Sequence, residues 1–175
     1  LSYLCTIRVA MAKLSGGTGR APLVKQISTS PFDYSFYNDY LNKILANEAQ
    51  QNGPALDWQK QVLHFVGGDN LSEQTQIRTF MDDYEATIED TLFGAQVTSY
   101  YKISTDPIQY IQAQELQARI DSGVALMTFF GHAAGSTFDI ATAPPQDWHN
   151  DGAYPLIIAN SCNVGDIFSP SRLLN

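Results

Sequence analysis

The sequence has no long apolar run, few basic residues and few cysteines, and each shortage argues against a class of protein. No apolar stretch approaches the roughly 20 residues that a membrane-spanning helix needs. The sequence has ten lysines and arginines but 18 acidic residues, which gives a net charge of -8. This charge argues against nucleic acid as a partner because phosphates would be repelled. Two cysteines, Cys5 and Cys162, are too few for a scaffold held by disulfides.

The sequence also lacks the short ligand pairs that mark many zinc sites. It contains neither Cys-x-x-Cys nor His-x-x-x-His. The side chains that could still supply zinc ligands are scattered: His132, His149, Asp139, Asp151 and Cys162. Without a short pair the sequence does not favour a metal site.

What is present fits one domain of ordinary size. The 175 residues, 44% of them apolar, can bury a real core. The chain begins at Leu1 rather than at a methionine, and its first segment, LSYLCTIRVAMA, is a poor signal peptide because Arg8 interrupts it. We therefore expect a mature product or a piece of a longer chain.

Alternating strand and helix patterns predict an α/β fold. Apolar residues at helical spacing predict helices at 34–51, 71–93 and 107–122. Ser72 is a possible cap of the second helix, Pro107 is suited to the first turn of the third and Gly123 to its end. Runs rich in apolar residues predict strands at 62–66, 96–103, 124–130 and 156–159, with a polar loop over 131–152. This order is typical of a mostly parallel sheet with helices on its faces.

Three chemically versatile residues follow predicted strands. Asp69 comes after the first strand, His132 after the third and Cys162 after the fourth. Ligands bind such sheets outside the carboxyl ends of the strands, and neighbouring strands lie about 5 Å apart, so His132 and Cys162 can meet. A histidine beside a thiol can accept its proton for attack on a carbonyl. The residues alone leave open that the cysteine packs in the core and the histidine is an ordinary loop residue.

Two blocks of sequence carry a more specific resemblance. TFFGHAA contains His132 and IIANSCNVGDIF contains Cys162, and both resemble the corresponding blocks of gingipain-type cysteine peptidases. Weaker similarity runs from about Gly19 to the end, through YLNKILANE and WQKQVLHFVGGDN. That family has a caspase-like fold, a three-layer sandwich around a mostly parallel sheet. Its members nearest in character are large surface proteins, including the signal peptidase (sortase) of the type IX secretion system.

The resemblance implies a role for each residue. Cys162 would be the nucleophile and His132 the catalytic histidine. Asp69 would orient that histidine, with Glu73 as the substitute if the alignment slips. The backbone N–H groups of Cys162 and Ala133 would receive the negative charge of the intermediate. The family usually has Gly-His-Gly, whereas Ala133 keeps the N–H but restricts φ.

On this resemblance we expect a bacterial cysteine endopeptidase, secreted, at the cell surface or periplasmic, that cleaves protein or peptide substrates. The chemistry requires no cofactor, although the family often binds structural calcium. The alternative is a catalytically silent module of the same fold, with a structural or binding role in a secretion or adhesion protein.

The resemblance also implies a domain organisation. Residues 1–33 would form an irregular N-terminal segment and residues 34–175 the peptidase domain. We expect that domain to be incomplete at its C-terminus, with the remainder on a longer precursor or a second chain. An exposed apolar edge beside the fourth strand would be the sign.

Overall fold

The computed structural model describes residues 8–10, 35–111, 114–134 and 137–162. The helices in this part of the chain are α1 (Ser35–Gln51), α2 (Leu71–Glu89) and α3 (Gln114–Ser122). The strands are β1 (Arg8–Ala10), β2 (Gln61–Val66), β3 (Gln96–Tyr101), β4 (Gln109–Tyr110), β5 (Leu126–Phe130), β6 (Ala133–Ala134), β7 (Thr137–Phe138), β8 (Ile140–Ala141) and β9 (Leu156–Asn160). Short 3-10 helices lie at Asp57–Lys60 and Pro145–Asp147. Of the helices described, none has both the length and the apolarity to cross a membrane.

A five-stranded sheet organises these elements in the order β1-β9-β5-β2-β3. The strands from β9 to β3 are parallel, whereas β1 runs antiparallel to β9. The four predicted strands correspond to β2, β3, β5 and β9, with ends that agree to within two residues. The expectation of an exposed edge beside the fourth strand is wrong, because β1 pairs with residues 157–159 on that side of β9, while the expected incompleteness of the domain stays a prediction.

Helices cover both faces of the sheet. On one face, alternate residues of β2, β5 and β9 pack against α3 in the larger core cluster, which includes Leu63, Phe65, Met127, Phe129, Ile157, Leu116 and Ile120. Phe65 stacks on Phe129 with ring centroids 4.5 Å apart. On the other face, Ile77 and Met81 of α2 pack against Val66. β2 is buried on both faces, whereas buried and half-buried residues alternate along β5 and β9, and the expected caspase-like α/β sandwich is confirmed.

Helix α2 ends earlier than the sequence predicted. The apolar pattern extended the helix to Phe93, but it ends at Glu89. Asp90 takes an extended conformation, and its carboxylate accepts a hydrogen bond from the Thr91 N–H at 2.6 Å. Leu92 is 98% exposed, so no packing compensates for extending the helix. A local side-chain bond therefore terminates it.

The prediction of one helix from Pro107 to Ser122 is wrong at its start. β4 instead pairs in parallel with β8. The Gln109 N–H donates to the Asp139 carbonyl and the Ile111 N–H to the Ala141 carbonyl, both at 2.8 Å. This pairing with a distant segment overrides the local helical preference. The predicted polar loop over 131–152 accordingly contains β6, β7 and β8.

Gly123 ends α3 where the sequence predicted, in a conformation that other residues adopt at a cost. Its φ is +101°, and a Cβ there would lie 2.7 Å from the Ala153 Cβ and 2.8 Å from the Trp58 Cβ. We expect Gly123→Ala to lower the free energy of unfolding by about 2–4 kcal/mol, measured by urea denaturation. Gly94→Ala is the matched control, since Gly94 also has a positive φ but no described atom lies within 4 Å of its Cβ position. Equal losses in the two variants would contradict a steric contribution at Gly123.

Candidate active site

The register of two strands aligns the segments that carry His132 and Cys162. β5 and β9 pair in parallel, with Phe130 opposite Asn160. The ladder extends one residue further, because the Gly131 N–H donates to the Asn160 carbonyl at 3.4 Å. His132 and Cys162 each follow the paired residues by two positions, at the edge where the strands end. Neighbouring strands lie about 4.8 Å apart, so the two segments leave the sheet side by side.

The two side chains differ in how firmly they are held. Cys162 is exposed and carries a free thiol, which makes no hydrogen bond to His132 or to any other described residue. The His132 ring is half-buried, and its Nε2 lies 2.8 Å from the Glu73 Oε1 and 3.6 Å from the Asp69 Oδ2. The first distance is that of a hydrogen bond and the second is not. Of the two carboxylates weighed from the sequence, Glu73 is the one bonded to the ring.

The start of α2 explains why Glu73 reaches His132. The N-cap is Asn70, not Ser72 as predicted, because the Asn70 side-chain oxygen accepts a hydrogen bond from the Glu73 N–H at 3.0 Å. Glu73 therefore lies in the first turn, where its Oε2 accepts from the Asp69 N–H at 2.9 Å while Oε1 faces the ring. The spacing Asn-x-x-Glu resembles a capping box, and it is the sequence signal that identifies Glu73.

The surroundings of Glu73 keep its carboxyl group ionised. Burial is the largest influence and alone would raise the pKa, but the hydrogen bonds from the Asp69 N–H and the His132 ring and the charges of His132 and Lys102 oppose it. Their combined effect holds the pKa of Glu73 below its ordinary value. A carboxylate accepts the proton on His132 Nε2, so a neutral ring has its lone pair on Nδ1. Nδ1 is then the nitrogen that can take a proton from a thiol.

The backbone N–H of Ala133 is not used by the ladder between β6 and β7. The Asp139 N–H donates to the His132 carbonyl at 2.9 Å, and the His132 N–H donates to the Asp139 side chain, so these two residues stand at the position of a hydrogen-bonded pair. Such pairs alternate with non-hydrogen-bonded pairs, so Ala133 and Phe138 form one of the latter. Ala133 lies in a strand, where alanine is unstrained, and Gly-His-Ala therefore costs nothing in backbone conformation here. No described residue accepts a hydrogen bond from the Cys162 N–H.

Asp139, which the sequence suggested only as a scattered zinc ligand, is buried at the same edge. Its Oδ1 accepts a hydrogen bond from the His132 N–H at 3.1 Å, and its Oδ2 accepts one from the Gly68 N–H at 2.7 Å. The Lys102 ammonium group, also buried, lies 3.5 Å from Oδ2. Sequence reasoning missed the structural importance of this aspartate, since nothing in its local pattern distinguishes it from exposed carboxylates.

The described residues contain one grouping that could hold a metal ion. Its ligand atoms lie within 4.8 Å of one another and belong to Asp69, Glu73 and His132. His149, weighed as a zinc ligand from the sequence, is exposed and lies 3.9 Å from Asp121 instead. The Lys102 ammonium group is 4.0 Å from Asp69 Oδ1, and its positive charge disfavours a cation there. The arrangement suits a histidine held by the Glu73 carboxylate better than a metal centre.

Comparison with known proteins gives one match. A family model described as Peptidase family C25 matches residues 33–173, which include every residue discussed at this site. No curated protein and no solved structure matches the chain. The match covers most of the chain and agrees with the resemblance carried by the His132 and Cys162 blocks. The chain therefore belongs to peptidase family C25, the gingipain family of cysteine peptidases.

Proposed function

We propose that this cysteine peptidase is an endopeptidase in which Cys162, His132 and Glu73 carry the reaction. The supporting observation is the register of β5 and β9: Phe130 pairs with Asn160, and the histidine and the cysteine each follow two residues later. Glu73 takes the orienting role that the resemblance implied for Asp69, because its hydrogen bond to Nε2 is 2.8 Å long.

In the first half of the reaction, the Cys162 thiol loses its proton to His132 Nδ1 and the sulfur attacks the carbonyl carbon of the substrate. The π electrons of that carbonyl move onto its oxygen, and the negative charge is received by the N–H groups of Cys162 and Ala133. As the intermediate collapses, the C–N bond breaks, the imidazolium gives its proton to the leaving amine, and a thioester remains on Cys162.

In the second half, His132 takes a proton from water as the water oxygen bonds to the thioester carbon. The C–S bond then breaks, the sulfur recovers a proton from the imidazolium, and a carboxylic acid leaves. The Glu73 carboxylate stabilises the imidazolium in both halves and holds the ring in one tautomer. Its lowered pKa ensures that it is ionised at neutral pH.

The proposed substrate is a peptide bond within a secreted or surface protein, cleaved outside the cytoplasm. The support is the similarity of TFFGHAA and IIANSCNVGDIF to gingipain-type peptidases, together with the family match. Structural calcium, which that resemblance also implies, stays a prediction. Cell fractionation with detection of the native protein tests the location, and recovery in the cytosol alone would contradict it.

We expect Cys162→Ala to lower the rate of peptide-bond hydrolysis on the order of 10⁴-fold, because the sulfur forms the covalent intermediate. The measurement is cleavage of an unfolded protein, followed by mass spectrometry of the fragments. Cys5→Ala is the matched control and should retain the activity. Hydrolysis that persists at the original rate in Cys162→Ala would refute the assignment. A wild-type protein that cleaves nothing in a diverse peptide library would favour the silent module.

A further inference from the structure

We propose that Asp139 is a positioning residue that fastens together the three loops at the catalytic edge of the sheet; this inference rests on the proposed function above. The buried carboxylate contacts a residue in the loop that follows each of three parallel strands. These are Gly68 after β2, Lys102 after β3 and His132 after β5. One side chain thus links the loops whose relative positions set the geometry around the His132 ring.

Four hydrogen bonds fix Asp139 itself. The two oxygens of its side chain accept from the His132 and Gly68 N–H groups, at 3.1 and 2.7 Å. Its backbone N–H donates to the His132 carbonyl at 2.9 Å, and its carbonyl accepts from the Gln109 N–H at 2.8 Å. The residue is 4% exposed, so water does not weaken these bonds.

Two glycines leave the space that the carboxylate fills. A Cβ at Gly131 would lie 2.5 Å from Asp139 Oδ1, and a Cβ at Gly67 would lie 2.7 Å from the Asp139 Cγ. Neither glycine is among the described residues with positive φ. Lack of space rather than backbone freedom therefore explains both glycines: the Asp139 carboxylate fills the space at each, and the Gly67 backbone, 2.8 Å away at its Cα, adds to the crowding at Gly131.

The positive charge of Lys102 offsets the free-energy cost of burying the Asp139 carboxylate. Its side chain is fully buried, and its ammonium group lies 3.5 Å from Asp139 Oδ2 and 4.0 Å from Asp69 Oδ1. It forms no hydrogen bond within the described part of the chain, so its role there is that of a compensating charge. Lys102 is also near the loop that precedes α2, because it lies close to the Asp69 carboxylate. The Asp69 N–H in that loop donates a hydrogen bond to Glu73, the orienting carboxylate.

Asp139 acts on catalysis only through other groups. It fixes the backbone of His132 relative to that of Gly68, and hence the ring relative to Glu73. It also occupies the His132 N–H, which leaves the next N–H, that of Ala133, as the donor available to an oxyanion.

Asp139→Asn tests the inference. Asparagine has the same shape, but it has one acceptor oxygen for two N–H donors and no charge opposite Lys102. We expect kcat for peptide hydrolysis to fall about 10–100-fold with KM changed less than about threefold, because ring placement and not substrate binding is disturbed. We also expect the pKa of Glu73, followed by carbon NMR of its carboxyl group, to rise toward its ordinary value as the His132 ring moves away.

Asp121→Asn is the control for this variant. It also replaces a carboxylate that accepts a backbone N–H, from His149 at 2.7 Å, and it should change neither kcat nor the pKa of Glu73.

The inference would be overturned if kcat and the Glu73 titration in Asp139→Asn equalled those of the wild-type protein. So would a loss of kcat that matches the unfolded fraction while the Glu73 titration is unchanged, since the role would then be structural only. If Asp139→Asn does not fold, amide exchange in the wild-type protein decides: the Gly68 and His132 amides should exchange more slowly than those of exposed loops, and equal rates would overturn the inference. The NMR readouts need no turnover, so failure of the proposed function would be recognised separately.

Discussion

Replacing His132 with alanine is expected to lower peptidase turnover by about 10³-fold or more while leaving the protein folded. His132 serves both as the base that accepts the thiol proton and as the acid that protonates the leaving amine, so its loss affects both halves of the reaction. The side chain is 43% exposed, and its removal takes little packing from the core. The measurement is kcat on a cleavable peptide, with thermal unfolding followed in parallel.

His149→Ala is the matched control for this variant. His149 is an exposed histidine, and its ring lies near Asp121 rather than near the catalytic edge. The same chemical change there should leave kcat unaltered. A His132→Ala protein that retains more than about a tenth of the turnover would mean that another group is the base.

The second large effect is expected at Glu73. Glu73→Gln should lower kcat by about 10–100-fold, because the neutral amide no longer stabilises the imidazolium. Asp69→Asn should change kcat by less than about threefold, since Asp69 Oδ2 is 3.6 Å from Nε2 and its side chain is 61% exposed to screening water. A larger loss in Asp69→Asn than in Glu73→Gln would return the orienting role to Asp69.

The Glu73 contribution should also carry a signature in the pH dependence of stability. Its pKa is lower in the folded protein than its ordinary value, so its stabilisation is fully present above the ordinary carboxyl pKa of about 4.3. That stabilisation is lost as the pH falls through the lowered pKa. The difference in melting temperature between wild-type protein and Glu73→Gln should therefore be larger above the ordinary carboxyl pKa than in strong acid, where it narrows. A difference that persists unchanged in acid would contradict a charged role.

Much of the fold could be predicted because the central strands are apolar runs that bury at least one face. Continuous apolar runs such as PLIIA have few alternatives to a parallel sheet, and the strands predicted from them were confirmed. The same reasoning predicted that His132 and Cys162 follow strands of one sheet. The structure shows in addition that these two strands are adjacent and that their register is matched, with Phe130 opposite Asn160.

The remaining features depend on contacts that no local pattern encodes. β4 forms only because β8 offers backbone partners, so its helical periodicity was misleading. The choice between Asp69 and Glu73 depends on the cap of α2, which is Asn70 rather than Ser72, although the helix begins at Leu71 as predicted. The burial of Asp139 requires two glycines and a lysine from separate loops to converge.

The reactivity of Cys162 toward iodoacetamide at neutral pH tests the catalytic pair most directly. Peptide-resolved mass spectrometry gives the alkylation rates of Cys162 and Cys5 separately in the wild-type protein and in His132→Ala. If Cys162 and His132 act together, Cys162 should react about tenfold or more faster than Cys5 in the wild type, and His132→Ala should remove that advantage. A Cys162 rate that does not depend on His132 would contradict the catalytic pair.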